Sequence, residues 1–200
     1  MVYDEGMTET PPRSRGRTRR ITAASLENAA LYYLRRFDST AENLRRVLSR
    51  RVRRAAMSPQ ATIDTAEAAR WIEAVVAKMT RLGYVDDART AAMKARSLFA
   101  RGTPPAMIRR RLALLGAGEE AIDAALSGIE EDCADAELTA AAALARRRRL
   151  GPFRPAAARA ERRDKDMAAL ARAGFSPEIA RRVIDAADPE DLLEDIRPAD

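Results

Sequence analysis

The chain has 200 residues with 36 basic and 30 acidic side chains, a formal net charge of +6, no histidine and one cysteine, Cys133. Without histidine the commonest general base near neutral pH and the commonest zinc ligand are missing, and a single cysteine excludes an internal disulfide or a thiolate metal cluster. Aromatic residues make up only 4%, so a chain of small helical packs is expected in place of one large core.

Charge is unevenly spread: residues 1–60 carry a net +7, residues 61–140 a net −3, residues 141–184 a net +8 and residues 185–200 a net −6. Every basic residue except Lys78, Lys94 and Lys165 is arginine, whose planar fork suits phosphate or carboxylate pairing. No run approaches the roughly 18–20 apolar residues of a membrane helix. The arginines at 13, 15, 17, 19 and 20 are not followed by a signal-type apolar stretch. A cytoplasmic protein is expected.

Residues 1–24 read as a basic leader without apolar side chains enough to bury, and hence as disordered. The first unit spans 25–83. Its first helix is expected to start near Ser25, with Leu26, Ala30, Tyr33, Leu34 and Phe37 on one face. Ser39 followed by Glu42 has the spacing of a capping box for a second helix with Leu44, Val47 and Leu48 inward. Asp64 and Glu67 open a third, whose apolar face runs from Trp71 to Leu82 and stops at Gly83.

The second unit, 84–129, begins at the turn Tyr84-Val85-Asp86-Asp87, with one of the aspartates as helix cap. Thr103-Pro104 reads as a cap and first-turn proline, followed by inward Met107, Ile108, Leu112 and Leu115. Gly116 and Gly118 separate these from Ile122, Ala125, Leu126 and Ile129. The third unit, 130–187, holds an alanine-rich helix ending in Arg146 to Arg149, an internal loop through LGPFRP, and a helix opened by Ser176-Pro177. Residues 188–200 form a short acidic helix or tail carrying Leu192, Leu193 and Ile196.

The units repeat. Leu34, Leu44 and Leu48 return 64 residues later as Leu98, Ile108 and Leu112, and Leu112, Gly116 and Leu126 return after 58 as Leu170, Gly174 and Ile184. With no strand-like alternation, the pattern predicts an all-α fold, an array of tandem three-helix repeats that presents a surface and not a pocket. No catalytic site, metal site or cofactor is expected, and no motif for one occurs.

Asp86-Asp87 could ligate magnesium, but adjacent turn residues rarely aim at one point; capping and a local ion pair with Arg89 are the simpler reading. The arginines are the candidate surface: Arg45, Arg46, Arg50, Arg53 and Arg54 in the first unit, Arg109, Arg110 and Arg111 in the second, Arg181 and Arg182 in the third. Stacked in a common sense, they would make a basic track for phosphate backbone or for an acidic protein groove. Arg146, Arg147, Arg148 and Arg149 cannot share one side of a helix, so at least one is expected to point towards neighbouring structure. Tyr32 is a weak candidate for base stacking, Phe37, Phe99 and Phe175 read as core plugs, and Cys133 as a small packing residue.

The segments ALYYLRRFDSTAENLRRVL at 30–48, LGYVDDARTAAM at 82–93 and ALARAGFSPEIARRVI at 169–184 together resemble the RecX family of bacterial regulators of the RecA recombinase. The resemblance covers roughly residues 25–187. It implies an elongated, curved, three-helix-repeat molecule that lies in the groove of the RecA–single-stranded-DNA filament and suppresses ATP hydrolysis, strand exchange and SOS co-protease activity. A monomer is implied, with single- or double-stranded DNA as a second partner and no membrane. Tyr84, Asp86, Asp87 and Arg89 occupy the family's middle signature, and Gly174 and Phe175 the final one. Thr90 stands where many relatives have an aromatic, and LGPFRPAAARAERRD reads as an insertion. The alternative is a stand-alone DNA-binding protein of helix-turn-helix type, built from the same short-linked helices.

Overall fold

A computed structural model describes residues 21–58 and 63–194. The expected leader lies almost wholly outside them, as do Ile196 and the side chain of Leu193. The described residues form ten α-helices and no strand: α1 Ala23–Leu34, α2 Ala41–Ala56, α3 Thr65–Arg81, α4 Asp87–Phe99, α5 Pro105–Leu115, α6 Glu119–Glu130, α7 Ala136–Arg148, α8 Ala156–Ala173, α9 Pro177–Ile184 and α10 Pro189–Glu194. A 3₁₀ turn, Gly151–Phe153, joins α7 to α8. The fold is all-α and built of three-helix repeats, α1–α3, α4–α6 and α7–α9.

Each repeat closes its own small core. Leu26, Leu44, Leu48, Ile72 and Met79 are buried together in the first. Ile108, Leu112, Ile122 and Ile129 fill the second, and Leu138, Leu170, Phe175 and Val183 the third. A fully buried leucine such as Leu48 contributes about 2 kcal/mol relative to exposure. Ile72, Val75, Val76 and Met79 of α3 are matched in burial by Ile122, Ala125, Leu126 and Ile129 of α6, 50 residues on. The internal repeat is therefore present in the third helices too, at a different offset from the one the leucines show.

Several local expectations are corrected. α1 starts two residues before Ser25: Thr22 is its cap, and Ser25 is the reciprocal partner in the capping box. Thr40, not Ser39, caps α2; its hydroxyl accepts the Asn43 N–H, while Ser39 is buried beneath and Glu42 turns to Arg45 and Arg46. Leu82 and Phe37 are each 55% exposed, because α3 and α1 have ended before those positions come round to the core face. At α5 the cap is Pro104 and the first-turn proline is Pro105, one residue later than expected. LGPFRP does connect two helices, but the longer LGPFRPAAARAERRD segment read as an insertion is mostly helix, since α8 runs 18 residues from Ala156.

The two joints between repeats are built differently. Between the first and second, the Thr40 hydroxyl donates to the Leu115 carbonyl at 2.7 Å, Arg46 donates to the Leu114 carbonyl at 2.7 Å, and the Ala41 N–H donates to Asp87 at 2.8 Å. The Cβ-less face of Gly116 lies against Glu42. Between the second and third, Phe99 packs against both cores and α5 packs on α7. Gly102, at φ 75°, lies so close to α7 that a Cβ there would stand 2.7 Å from the Ala140 carbonyl. The alanines of α7, with Ala140, Ala141, Ala142 and Ala145 all buried, leave room for that approach.

Candidate interaction surfaces

Ion pairing divides the arginines into two sets. Arg45 forks onto Glu73 at 2.6 and 2.9 Å and also donates to Glu42 at 2.6 Å. Hydrogen bonds from Arg46 and then Arg45 hold the Glu42 carboxyl below its ordinary value, and Arg45 does the same to Glu73. Arg109 is bound to Glu119 at 2.6 Å and Asp123 at 2.5 Å, and Arg182 to Asp135 at 3.2 Å. These four are parts of the scaffold. Arg50, Arg53, Arg54, Arg110, Arg111 and Arg181 are exposed and make no ion pair among the described residues.

Arg46, of the first set, brings some of the second set together. On α2, Arg46 and Arg50 are one turn apart on the same stripe, as are Leu114 and Arg110–Arg111 on α5. The bond from Arg46 to the Leu114 carbonyl therefore joins the two basic runs at the first joint. The Leu114 side chain at that point is 67% exposed. The 64-residue repeat pairs Leu114 with Arg50 on α2, but an exposed leucine in place of an arginine shows its significance only when α5 is seen to end against α2.

The middle signature is a structural device. Asp86 caps its own helix by accepting the Arg89 N–H at 2.9 Å. Asp87 caps another helix, accepting the Ala41 N–H of α2. The expected ion pair with Arg89 does not form, and Arg89 is exposed. In the next repeat the position equivalent to Ala41 is Pro105, which has no N–H to satisfy. Correspondingly Ala136 follows the cap Asp135 where Asp87 follows Asp86. Thr90 is buried among the alanines of α4. Tyr84 is 54% exposed, whereas Phe175 is buried in the third core. Gly174 has φ 100° and lies against Met107 and Pro104 of α5.

Arg146 to Arg149 are all exposed, which overturns the expectation that one would turn inwards. None has an ion pair or side-chain hydrogen bond among the described residues. Arg149 has φ 55°, the one non-glycine positive φ among the described residues. It caps α7 in the manner in which Gly116 caps α5 and Gly174 caps α8. In each case the residue after the cap donates back into the helix: Leu150 to Ala145, Ala117 to Leu112 and Phe175 to Leu170. A side chain in the left-handed region costs about 1–2 kcal/mol.

Three other arginines of the third repeat are structural. Arg154 forks onto buried Asp166, which also accepts the Gly151 N–H at 3.0 Å. Arg159 donates to the carbonyls of Pro152, Arg154 and Ala187, and Arg163 to Asp185. Tyr32 is exposed with the Arg36 guanidinium 5.4 Å from its ring centroid. Cys133 donates to the Ile129 carbonyl, and partial burial pushes its thiol up. Among the described residues no three His, Cys, Asp or Glu side chains gather as a metal site, and no helix is long and apolar enough to cross a membrane.

The chain is 42% identical over 171 residues to the regulatory protein RecX of Myxococcus xanthus (strain DK1622), covering 85% of this chain and 89% of that one. Its fold is similar to a crystal structure of regulatory protein RecX, with a TM-score of 0.53 and 23% identity, covering 82% of this chain and 72% of the other. It is also similar to the crystal structure of RecX from Lactobacillus salivarius, with a TM-score of 0.51 and 18% identity over 82% and 94% of the two chains. No family model matches the chain.

Proposed function

The chain belongs to the RecX family, and on that premise we propose that it is a non-enzymatic, cytoplasmic and monomeric regulator of RecA. It binds RecA or its single-stranded-DNA filament and inhibits ATP hydrolysis, strand exchange and SOS co-protease activity. The observation that carries the reading is the 42% identity along nearly the whole length of a regulatory protein RecX. The tandem repeats support it, because a row of small packs can span neighbouring subunits of a filament.

The face most suited to a protein partner is the first joint. Protein interfaces combine an apolar anchor with arginine at its edge. Leu114 stands exposed there beside Arg50, Arg110 and Arg111, with Arg46 holding α2 to α5 beneath them. Arg109 is left out, because its two carboxylates already occupy it.

The test is DNA-dependent ATP hydrolysis by RecA, titrated with the protein. Inhibition is expected at well below one regulator per RecA, and no inhibition by folded protein near equimolar ratio rejects the proposal. Changing Arg110 and Arg111 to alanine with Leu114→Ala is expected to weaken inhibition at least about tenfold, the size of a lost interface anchor. Helicity should be unchanged, since all three side chains point to solvent.

A further inference from the structure

Among the described helices α10 is the shortest and the least tied to the rest. It runs six residues, Pro189–Glu194, whereas a helix standing by itself in water is marginal below about 12–15. Of its described side chains only Leu192 is buried, and Glu190, Asp191 and Glu194 face solvent. Asp188 caps it, accepting the Glu190 and Asp191 N–H groups at 2.9 and 3.0 Å. Just before that cap, Arg159 donates to the Ala187 carbonyl at 2.6 Å. One buried leucine and one side-chain bond thus stand against the entropy of ordering the segment.

Leu192 belongs to the third core together with Leu150, Ile184 and the partly buried Phe153. Arg159 also donates to the Pro152 carbonyl of the 3₁₀ turn at 2.8 Å, so α10 starts beside that turn. The exposed run Arg146 to Arg149 ends just before the same turn. Arg149 holds a left-handed cap at φ 55°, a position that Gly116 and Gly174 fill without strain on α5 and α8. A fourth positive charge is kept there at conformational cost.

We propose that α10 is a displaceable strap, and that the seat of Leu192, with Arg146 to Arg149 at its edge, is a docking site for a leucine-bearing acidic helix of another protein. α10 itself shows the chemistry the seat accepts: an apolar side chain inward and carboxylates outward, complementary in charge to the arginine run. An apolar anchor edged by arginine is the composition of a protein interface. The exposed large apolar side chains of the described residues all lie between Tyr32 and Leu114, in the first two repeats. In the third repeat the apolar anchor is covered from within the chain. Local opening of α10 uncovers it while α7, α8 and α9, which share the larger core, stay folded. The site is separate from the first-joint face and does not depend on the RecA reading.

The experiment is fluorescence anisotropy of a labelled peptide of residues 186–195, titrated with the full wild-type chain and with the full chain carrying Leu192→Asp. In wild type the tethered α10 competes with the peptide at high effective concentration. In the variant the strap is released, and the peptide should bind at least about tenfold tighter, the size of an interface anchor. Equal binding by the two chains overturns the proposal. Adding Arg146→Ala, Arg147→Ala, Arg148→Ala and Arg149→Gly to Leu192→Asp should weaken the binding and flatten its dependence on salt. Unchanged binding in that chain would take the arginines out of the site and overturn it as drawn. Leu192→Asp and the milder Leu192→Ala should both keep the helical circular dichroism of the other helices. Loss of the third repeat in both would make α10 part of the core and overturn the strap. A concentration-dependent wild-type dimer that Leu192→Asp abolishes would make the occupant a second copy's α10 and overturn the foreign partner. Failure of the wild-type chain to inhibit RecA, with the peptide result intact, would sink the RecA reading and leave this one standing.

Discussion

Thr40, Arg46 and Asp87 tie the first repeat to the second through hydrogen bonds on helix ends, whereas Phe99, Gly102 and Gly174 tie the second to the third through apolar contact and close backbone approach. The two kinds of joint respond to different things. A hydrogen bond contributes about 1 kcal/mol net and can be exchanged for one with water. Close packing cannot open without leaving a cavity or exposing the core. The first joint is thus sensitive to pH and to polar substitution, and the second to side-chain volume.

Volume should matter most at Gly102. Gly102→Ala places a Cβ 2.7 Å from the Ala140 carbonyl and keeps a positive φ, so a loss of about 3 kcal/mol or more is expected from overpacking and strain together. Gly83→Ala is the comparison: φ is also 75°, but no heavy atom lies within 4 Å of the added carbon. Its cost should be about 1 kcal/mol. Urea unfolding followed by circular dichroism measures both. Equal losses would mean that backbone strain and not the contact with α7 dominates at Gly102.

The spacing of leucines and glycines was enough to read the repeats, because helix periodicity and left-handed caps are local properties. It was not enough to read the joints. Gly102 and Gly116 look alike in sequence as helix punctuation, yet one faces α7 backbone and the other the Glu42 side chain. Thr40 and Ser39 are equally good caps by composition; which of them caps is decided by the Leu115 carbonyl, 75 residues away. The arginines show the same limit. Composition marked them all as one surface, and only the positions of Glu42, Glu73, Glu119, Asp123 and Asp135 showed that Arg45, Arg46, Arg109 and Arg182 belong to the scaffold.

A polar change at the first joint should cost less than Gly102→Ala, and should report its location. Thr40→Val keeps the shape of a fully buried side chain but removes the donor to Leu115 and the acceptor for Asn43. A loss of about 1–2 kcal/mol is expected. Ser39→Ala should cost less, since Asn43 retains its bond to the Tyr33 hydroxyl. Denaturation followed through Trp71, the single tryptophan and part of the first core, checks the order. A larger effect at Ser39 would return the cap to the residue that spacing alone suggests.

The smallest effect is that of acid, and its sign follows from the direction in which the carboxylates are shifted. Glu42 and Glu73 are held below their ordinary value of 4.5 by Arg46 and Arg45. The unfolded chain therefore takes up these protons first as pH falls. Their contribution is complete above about 4.5 and is lost as pH drops through the lowered folded-state values. Both carboxylates are well exposed, so the effect is screened and modest. Glu42 nonetheless orients Arg46 towards the Leu114 carbonyl, while Gly102 and Gly174 meet no carboxylate at the second joint. An acid titration at low salt should then move Trp71 fluorescence before it moves the helical circular dichroism of the whole chain. Arg45→Gln removes the fork on Glu73 and should shift the Trp71 transition to higher pH. Coincident transitions in wild type and variant would show that the first joint opens only when everything does, and would erase the distinction between the two joints.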